Sequence, residues 1–352
     1  MRRVLKNRLL WPIGALVALI IVNAISRPSF LSITVRDGEL YGSFIDILRN
    51  SAPLMLVALG MTLVIATRGI DLSVGAQMAI SGAVALTIIK DSSTPNSLGT
   101  IGVAVLAGVA LTLMFGLWNG FLVAVLGIQP IIATLVLMLA GRGIALLITG
   151  GFITTITSTP YAVLAQGYVF GFPFAFLVSA IAIAIVTILV RRTALGVLTE
   201  AVGINPSASR LAGVRSRGIV WSLYGLSGLL AGIAGILYSS NIMAADANNA
   251  GLNIELDAIL AVVLGGTSLA GGKFTLAGTV IGVFIIQTLT STITFLGVPP
   301  SVTPVFKAIV VIIVCLSQSR RMRGWITGLR PTRRLVLATP TEAALPTNRT
   351  KA

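Results

Sequence analysis

The stretch RRTALGVLTEAVGINPSASRLAGVRSR, residues 191–217, is a long polar interruption in a chain that is otherwise mostly apolar. The apolar stretches on either side, 174–190 and 218–239, are each long enough for a helix that crosses a membrane. The interruption itself contains five arginines, one glutamate and no lysine. A basic polar segment between two apolar spans is typical of a cytoplasmic loop. The predicted fold is therefore an all-α, polytopic membrane protein.

The same loop contains signals for a short helix. Asn205 suits the N-cap, Pro206 suits the first helical position, and Gly213 suits the end of the helix. A helix between them places two alanines and a leucine on one small apolar face. A capped helix with basic flanks, presented to the cytoplasm, favours a docking element for a soluble partner. An ordinary basic cytoplasmic loop is the alternative.

Composition indicates the same class. The chain of 352 residues is 56% hydrophobic and 10% charged, with a mean hydropathy of +0.99. A soluble domain carries roughly 25% charged residues, so most of the surface of this chain must lie in lipid. The net charge of +15 would suggest nucleic-acid binding in a soluble protein. In a membrane protein, basic residues beside anionic lipid set the orientation, so the expected partner is the bilayer and not nucleic acid.

Ten apolar segments are candidates for helices that cross the roughly 30 Å of hydrocarbon, which takes roughly 20 residues each. The third, eighth and tenth are short or interrupted by glycine, and an eight-span arrangement stays open if two short segments are re-entrant. The approximate bounds are 9–26, 52–67, 73–90, 101–126, 131–149, 174–190, 218–239, 256–271, 274–295 and 303–318.

The distribution of basic residues orients these spans. With the N-terminus inside, 19 of the 25 basic residues fall on cytoplasmic segments and four fall outside. Both termini are then cytoplasmic. The prediction is one transmembrane domain over 1–318 and a disordered cytoplasmic tail over 319–352, rich in Thr, Pro and Arg. No segment outside the spans is long enough for a separate soluble domain, so an ATPase or ligand-binding module must come from another chain.

Catalytic and metal-binding chemistry is poorly supported. The chain has no histidine, which removes imidazole bases, Ser-His-Asp triads and His-ligated zinc. It has no GxxxxGK[ST] motif for binding ATP itself. Its one cysteine, Cys315, allows no thiolate metal cluster. We therefore expect no catalytic site, no metal site and no cofactor bound by this chain.

Ionisable groups inside the spans are scarce, although a proton-coupled transporter usually needs them. Asp71, Glu255 and Asp257 fall near span ends, and Arg142 and Lys307 are the buried candidates. Lys307 lies near a span end and is expected to snorkel to the interface. Arg142 lies in the middle of a span, where it either serves a transport pathway or a polar contact between helices, or snorkels or pairs with a backbone carbonyl.

Three amides join Arg142 as candidates for the lining of a pathway: Asn119, Gln129 and Gln287. For each of them a simple hydrogen bond between helices is the alternative. Small residues indicate close helix packing, since glycines four apart let two backbones approach in lipid. The pairs are Gly116/Gly120, Gly228/Gly232 and Gly278/Gly282.

Two glycine-rich breaks, one in each half of the chain, separate neighbouring spans. Broken helices at membrane depth survive only where protein or a watery cavity satisfies the freed backbone groups. Such breaks are candidates for gating, and helix capping with tight packing is the alternative. The candidate residues are Gly69, Asp71, Ser73 and Gly75 in the first break, and Gly265, Gly266, Gly271 and Gly272 in the second.

Three ordered motifs strongly resemble the permease subunits of ABC sugar importers of the ribose/galactose class. They are the run from Ile45 to Ala83, the loop TEAVGINPSASRLAGV from Thr199 to Val214, and VLGGTSLAGGKFTLAGTVIG from Val263 to Gly282. The resemblance covers roughly residues 40–318. The segments GSFIDILRNSAP and KAIVVIIVCLSQS are most similar to galactofuranose-type permeases.

The resemblance implies a permease subunit in the bacterial inner membrane, without its own ATPase, that moves a monosaccharide such as galactofuranose or a ribose-like sugar. It implies a cytoplasmic ABC ATPase that binds the ATP, a periplasmic sugar-binding protein, and a second permease subunit, identical or paralogous. An ion-coupled secondary transporter of a small polar solute is the alternative function. The coupling segment carried over from the family consists of Glu200, Ala201, Gly203, Asn205, Pro206, Arg210 and Gly213.

Overall fold

Helices dominate the structure, a computed structural model that describes residues 10–36, 38–297, 299 and 302–318. Of the helices in this described part, α2, α3, α4, α5, α7, α10 and α12 are long and apolar enough to cross a membrane. The prediction of an all-α polytopic membrane protein is confirmed. In chain order the helices are α1 (Leu10–Ser26), α2 (Ser43–Ala66), α3 (Val74–Asp91), α4 (Leu98–Ala124), α5 (Pro130–Ile148), α6 (Thr159–Gln166), α7 (Phe174–Arg192), α8 (Leu195–Ile204), α9 (Pro206–Leu211), α10 (Ser216–Ile242), α11 (Ile254–Leu264), α12 (Leu276–Phe295) and α13 (Thr303–Gln318).

Short antiparallel ribbons lie in the connections between helices. Strand β1 pairs with β2, β3 with β6, and β4 with β5. The pairing of β3 with β6 joins the segment after α5 to the segment after α10. The strands are β1 (Thr34–Arg36), β2 (Glu39–Tyr41), β3 (Thr154–Thr155), β4 (Tyr168–Val169), β5 (Phe172–Pro173) and β6 (Ala244–Ala245).

Helices α2, α3 and α10 form the inside of the bundle, and α4, α5 and α7 lie at its periphery. Most residues of the inner helices are buried, whereas the outer helices keep most of their apolar side chains exposed. Leu106 on α4, Leu139 on α5 and Ile185 on α7 are examples of such exposed side chains. A helix that is apolar all round suits a lipid environment, so the outer surface is the one that the membrane covers.

Small residues set the spacing of α4 and α10, as the glycine pairs predict. A Cβ atom added to Gly116 would lie 2.5 Å from the carbonyl oxygen of Tyr224 and 2.9 Å from the Cα of Gly228. A Cβ added to Gly232 would meet the hydroxyl of Thr112. The two backbones are therefore in direct contact, which drives association where lipid removes the hydrophobic advantage of larger side chains.

The predicted eighth span differs from the observed helix. The span was expected over 256–271, but α11 ends at Leu264, because Gly266 adopts a left-handed φ of +88°. An α-helix rises about 1.5 Å per residue, so the 11 residues of α11 cover only about half of the hydrocarbon thickness. The rest of the predicted span is the glycine-rich break that leads into α12.

Arg68 and the basic 191–217 loop lie together at one end of the bundle. The Arg68 side chain donates to the carbonyl oxygens of Gly203 and Ile204, and the amide of Gly272 donates to Ala66 O at 2.9 Å. The 191–217 loop and both glycine-rich breaks therefore meet at one end, which the positive-inside rule makes cytoplasmic. The predicted termini and the disordered tail over 319–352 lie outside the described residues.

Replacement of Gly116 by valine should destabilise the helix bundle, because the added atoms would overlap the backbone of α10. Overpacking of this kind costs about 1–3 kcal/mol, and the thermal midpoint of the detergent-solubilised protein should fall. Gly102→Val is the matched control on the same helix, since a Cβ there would meet nothing within 4 Å. Equal melting temperatures for the two variants would contradict the close packing of α4 on α10.

Candidate functional site

The 191–217 loop folds into two short helices, α8 and α9. The predicted helix is confirmed as α9, Pro206–Leu211. The Asn205 side chain caps it, since its Oδ1 accepts hydrogen bonds from the amides of Ser207 at 3.1 Å and Ala208 at 3.0 Å. Gly213 ends the turn with a φ of +84°, a conformation that glycine adopts without strain.

Helix α8 was missed by the sequence reasoning. Its residues Leu195, Leu198 and Val202 recur at helical spacing, which is the signal that could have revealed it. Gly196 and Gly203 hide this signal, because glycine is a poor helix former. Glu200 and Ala201, expected in the coupling segment, lie on this helix.

Apolar side chains of the loop are exposed at the cytoplasmic end. Leu211 is 91% exposed, and Ala208, Ala212 and Ile204 are also exposed. Exposed apolar groups clustered outside the lipid indicate a surface that another protein covers. Together with the exposed Arg210, these four residues are here named the coupling surface.

Two cavities flank this loop. One of about 540 Å³ lies between α7, α8 and the start of α12, and Arg191, Glu200 and Phe274 are among its lining residues. The other, of about 250 Å³, is lined by Pro206 and Arg210 among others. The two cavities leave space beside both α8 and α9.

Arg68 attaches the loop to the first break, and it was not singled out from the sequence. Its Nε donates to Gly203 O at 2.6 Å and its Nη2 donates to Ile204 O at 2.5 Å. These are the last carbonyl oxygens of α8, where a cation is favourable for the helix dipole. Arg68 holds a left-handed φ of +66°, which is uncommon for a residue other than glycine. Its position as the one basic residue of the first break is the signal that could have identified it.

Only glycine fits at position 203. A Cβ there would overlap Ala66 O at the end of α2 and would lie 2.6 Å from the amide nitrogen of Gly272. The C-terminal ends of α2 and α8 and the second glycine-rich break are therefore in backbone contact at this point. The coupling candidate Gly203 and the break candidates Gly271 and Gly272 belong to one junction.

The first break contains a buried aspartate. Asp71 is fully buried, although the sequence placed it near the end of a span. Its Oδ1 accepts from the amide of Ser73 at 3.1 Å and from the Ser73 hydroxyl at 2.6 Å, and its Oδ2 accepts from the Ser227 hydroxyl at 2.9 Å. Ser227 lies in the middle of α10, about 16 Å from its cytoplasmic start at a rise of about 1.5 Å per residue, so Asp71 lies at membrane depth.

The Ser73 hydroxyl extends this network to two amides. Its oxygen accepts from Gln77 Nε2 at 2.7 Å and from Asn119 Nδ2 at 2.9 Å. The network, here named the Asp71 network, links α3, α4 and α10 through buried hydrogen bonds. It brings together the predicted residues Asp71, Ser73 and Asn119 and adds two residues that the sequence did not indicate.

The glycines around both breaks lie where other backbones or rings approach closely. A Cβ on Gly69 would lie 2.6 Å from the Tyr224 hydroxyl, and Gly75 faces the backbone of Gly251. In the second break, Gly265 faces the backbone of Gly278. The glycines at 266, 271 and 272 have left-handed φ angles, so they allow the chain to reverse between α11 and α12.

The four candidates for a pathway lining do not share one site. Asn119 belongs to the Asp71 network, and Gln129 is exposed at the start of α5. Gln287 is half-buried on α12. Arg142 donates from its Nη1 to the carbonyl oxygens of Ala247 at 3.0 Å and Ala250 at 2.5 Å.

Lys307 forms an ion pair instead of snorkelling, which corrects the expectation. Its Nζ donates to Asp257 Oδ2 at 2.6 Å, and both side chains are largely buried. Since α11 carries Asp257 and α13 carries Lys307, the pair connects the short helix to the last described helix. Breaking a partly buried pair by removing one partner leaves an uncompensated charge.

Comparison with known proteins assigns the chain to a family. Residues 43–315 match the family described as the permease component of the branched-chain amino acid transport system. The chain belongs to this family of transport permeases. The match runs from the first residue of α2 into α13, so it covers the coupling surface, both breaks and the Asp71 network.

Sugar permeases are among the most similar curated proteins. The galactofuranose transporter permease protein of Escherichia coli is 48% identical over 92% of this chain and 95% of its own length. The fructose import permease protein of Bifidobacterium longum is 40% identical over 95% of this chain and 94% of its own length. The ribose import permease protein of Bacillus subtilis is 36% identical over 89% of this chain and 93% of its own length. No solved structure matches the chain. The resemblance to ribose- and galactofuranose-type permeases is confirmed, and the permease is a multi-pass protein of the bacterial inner membrane.

Substitution of Asp71 by alanine should destabilise the permease, because it removes the acceptor for three hydrogen bonds and leaves buried hydroxyl groups unpaired. Unsatisfied buried groups cost about 1–3 kcal/mol each, so the thermal midpoint should fall clearly. Asp91→Ala is the matched control, since Asp91 is exposed at the end of α3. A midpoint for Asp71→Ala equal to that of the control would show that the network contributes nothing to stability.

Proposed function

We propose that the chain is the transmembrane subunit of an ATP-driven ABC importer that moves a monosaccharide, galactofuranose or a ribose-like sugar, across the inner membrane. The coupling surface carries this proposal, because an exposed apolar helix at the cytoplasmic end of a membrane protein needs a soluble partner. The names of the similar sugar permeases support the substrate class. In this proposal ATP is bound by the partner, and the chain is a transport subunit without a catalytic site or cofactor of its own.

Movement of the coupling surface would reach the membrane interior through Arg68. This residue holds the end of α8 and lies three positions before Asp71, which hydrogen-bonds across to Ser227 on α10. The ATPase would therefore push on a loop that is tied to the broken helix pair α2 and α3. A rigid-body shift between two packed arrangements is the usual form of such a switch.

The outer end offers a surface for a periplasmic sugar-binding protein. The Leu40 amide donates to Gly171 O at 3.1 Å, which joins the β1–β2 hairpin to the β4–β5 hairpin. Phe170 at the tip is 94% exposed. The hydrogen bond from the Tyr41 hydroxyl to the Glu39 carboxylate raises the pKa of Tyr41 to about 12, and the phenol is neutral at physiological pH, as a tyrosine with the usual pKa of about 10 is. Exposed apolar groups on a joined pair of hairpins suit protein contact.

An ion-coupled secondary transporter finds less support. Such a transporter needs an ionisable group that is free to bind the coupling ion, and the carboxylate oxygens of both Asp71 and Asp246 accept hydrogen bonds from their own turns or from α10. The second permease subunit of the proposed importer would be either an identical chain or a paralogue. Both would present one coupling surface each to the ATPase.

Leu211→Asp should prevent ATPase docking, because it places a charge on the exposed apolar face of the coupling surface. Replacing a central apolar contact by a charge is expected to weaken the complex at least about 30-fold, or roughly 2 kcal/mol. Co-purification of the ATPase with the tagged permease measures the effect. Leu98→Asp is the matched control, since Leu98 is similarly exposed at the opposite end of the bundle. Full ATPase binding by Leu211→Asp would overturn the docking assignment.

Arg68→Ala should uncouple transport from ATP hydrolysis while the complex still assembles. The substitution removes both hydrogen bonds to the end of α8 and leaves the coupling surface itself unchanged. Hydrogen bonds to charged groups contribute about 1.5–3 kcal/mol each, so sugar uptake per ATP hydrolysed should fall at least tenfold in reconstituted vesicles. Arg68→Lys keeps the charge and should retain part of the coupling. A ratio of sugar uptake to ATP hydrolysis in Arg68→Ala equal to that of the unmodified protein would contradict coupling through Arg68.

A further inference from the structure

The segment between α10 and α11 enters the membrane without forming a helix. Near its start, Ala244–Ala245 pair with Thr154–Thr155 at the outer end of the bundle. Six residues later, a Cβ on Gly251 would lie 2.8 Å from the carbonyl oxygen of Gly75. Gly75 lies in the first turn of α3, about 24 Å below the outer end of that helix at a rise of about 1.5 Å per residue. Residues 246–253, here named the polar turn, therefore descend through much of the outer half of the membrane.

Local hydrogen bonds shape the polar turn. Asp246 Oδ1 accepts from the amides of Asn248 at 3.0 Å and Asn249 at 3.2 Å, and its Oδ2 accepts from Asn249 Nδ2 at 2.7 Å. Gly251 and Asn253 both adopt a left-handed φ of +62°, which asparagine tolerates better than most residues. The carboxylate of Asp246 is thus used to hold the turn.

Arg142 fixes the polar turn to α5. It donates to the carbonyl oxygens of Ala247 and Ala250, two groups that lipid would leave unsatisfied. On the other side, Gly75 and Gly251 hold the turn against α3. The polar turn is therefore fixed to the bundle on two sides and is not a loose connection at the surface.

The asparagine side chains of the polar turn are exposed, and two of them have unpaired amides. Asn248, Asn249 and Asn253 are exposed, and the side chains of Asn248 and Asn253 make no hydrogen bond within the described part of the chain. An unpaired amide in hydrocarbon costs several kcal/mol. At this depth these side chains must therefore face water or protein and not lipid.

We propose that the polar turn lines the substrate passage and that Asn248 and Asn253 hydrogen-bond the hydroxyl groups of a monosaccharide. An amide offers both donors and an acceptor, which matches a sugar hydroxyl that donates and accepts. The nearby charged side chains of Arg142 and Asp246 hydrogen-bond the backbone of the turn, and the unpaired groups are neutral amides, which suit a neutral ligand. The turn faces outward from the subunit, so a second permease subunit would close the passage. This site rests on the proposed sugar importer.

Thiol labelling tests whether the polar turn meets water. In a Cys315→Ser background, Asn248→Cys and Asn253→Cys are treated with a membrane-impermeant methanethiosulfonate, in nucleotide-free and vanadate-trapped importer in membranes. Both should react at least tenfold faster than Leu106→Cys, which is 70% exposed on the lipid-facing side of α4, in at least one state. Labelling rates of Asn248→Cys and Asn253→Cys as low as that of Leu106→Cys in both states would overturn the proposal that the polar turn lines the substrate passage.

Uptake kinetics and protection test whether the turn contacts sugar. Uptake is measured with labelled D-galactose, D-ribose and D-fructose, each supplied with the binding protein. In the thiol assay, millimolar sugar should slow the modification of Asn248→Cys. Asn253→Gly keeps the left-handed backbone and removes the amide. Asn253→Gly and Asn248→Ala should each lower uptake of the transported sugar about tenfold. Asn96→Ala in the exposed outer loop is the matched control.

The outcomes separate this site from the proposed function. Co-purification of an ATPase reports on the importer whichever result the labelling gives. Reactive cysteines that no sugar protects, together with control-like uptake in Asn253→Gly and Asn248→Ala, would overturn the sugar contact. Absence of any ATPase with reactive, unprotected cysteines would instead count against the importer.

Discussion

Lipid cannot satisfy backbone groups, and this constraint explains the polar contacts at the breaks between the helices of the permease. Where the chain breaks between α2 and α3, Ile70 O accepts from the hydroxyls of Thr134 and Tyr224, each at 3.3 Å. Where it breaks before α11, Arg142 supplies the donor to Ala250 O. At these two interruptions polar side chains therefore supply the partners that lipid cannot, and the interruptions are where the function is proposed.

The long helices could be predicted from the sequence because an apolar run of about 20 residues has few alternatives in a membrane. The fourth span, expected over 101–126, is observed as Leu98–Ala124. The eighth was predicted too long because the expected span ran on through the glycine-rich stretch, whereas the helix ends at Leu264, directly before two glycines. Hydropathy reports where lipid is tolerated, and it does not report where backbone hydrogen bonds stop.

The candidate site could be predicted only where its contacts are local. The cap at Asn205 involves amides two and three residues away, so the sequence itself indicates it. The bond from Arg68 to Gly203 spans 135 positions, and the bond from Ser227 to Asp71 spans 156. Such pairings depend on how the helices pack against one another, and this packing cannot be predicted from a local pattern in the sequence.

The contacts at the start of α3 connect the two ends of the proposed mechanism. Arg68 holds the coupling loop, and Asp71, three residues later, is bound to α10. Four residues further, Gly75 touches Gly251 in the polar turn. The first turn of α3 therefore lies between the loop that an ATPase would move and the amides that a sugar would meet. Because glycine at 75 and at 251 leaves no side chain to absorb a displacement, a shift of α3 relative to α10 must displace the polar turn as well.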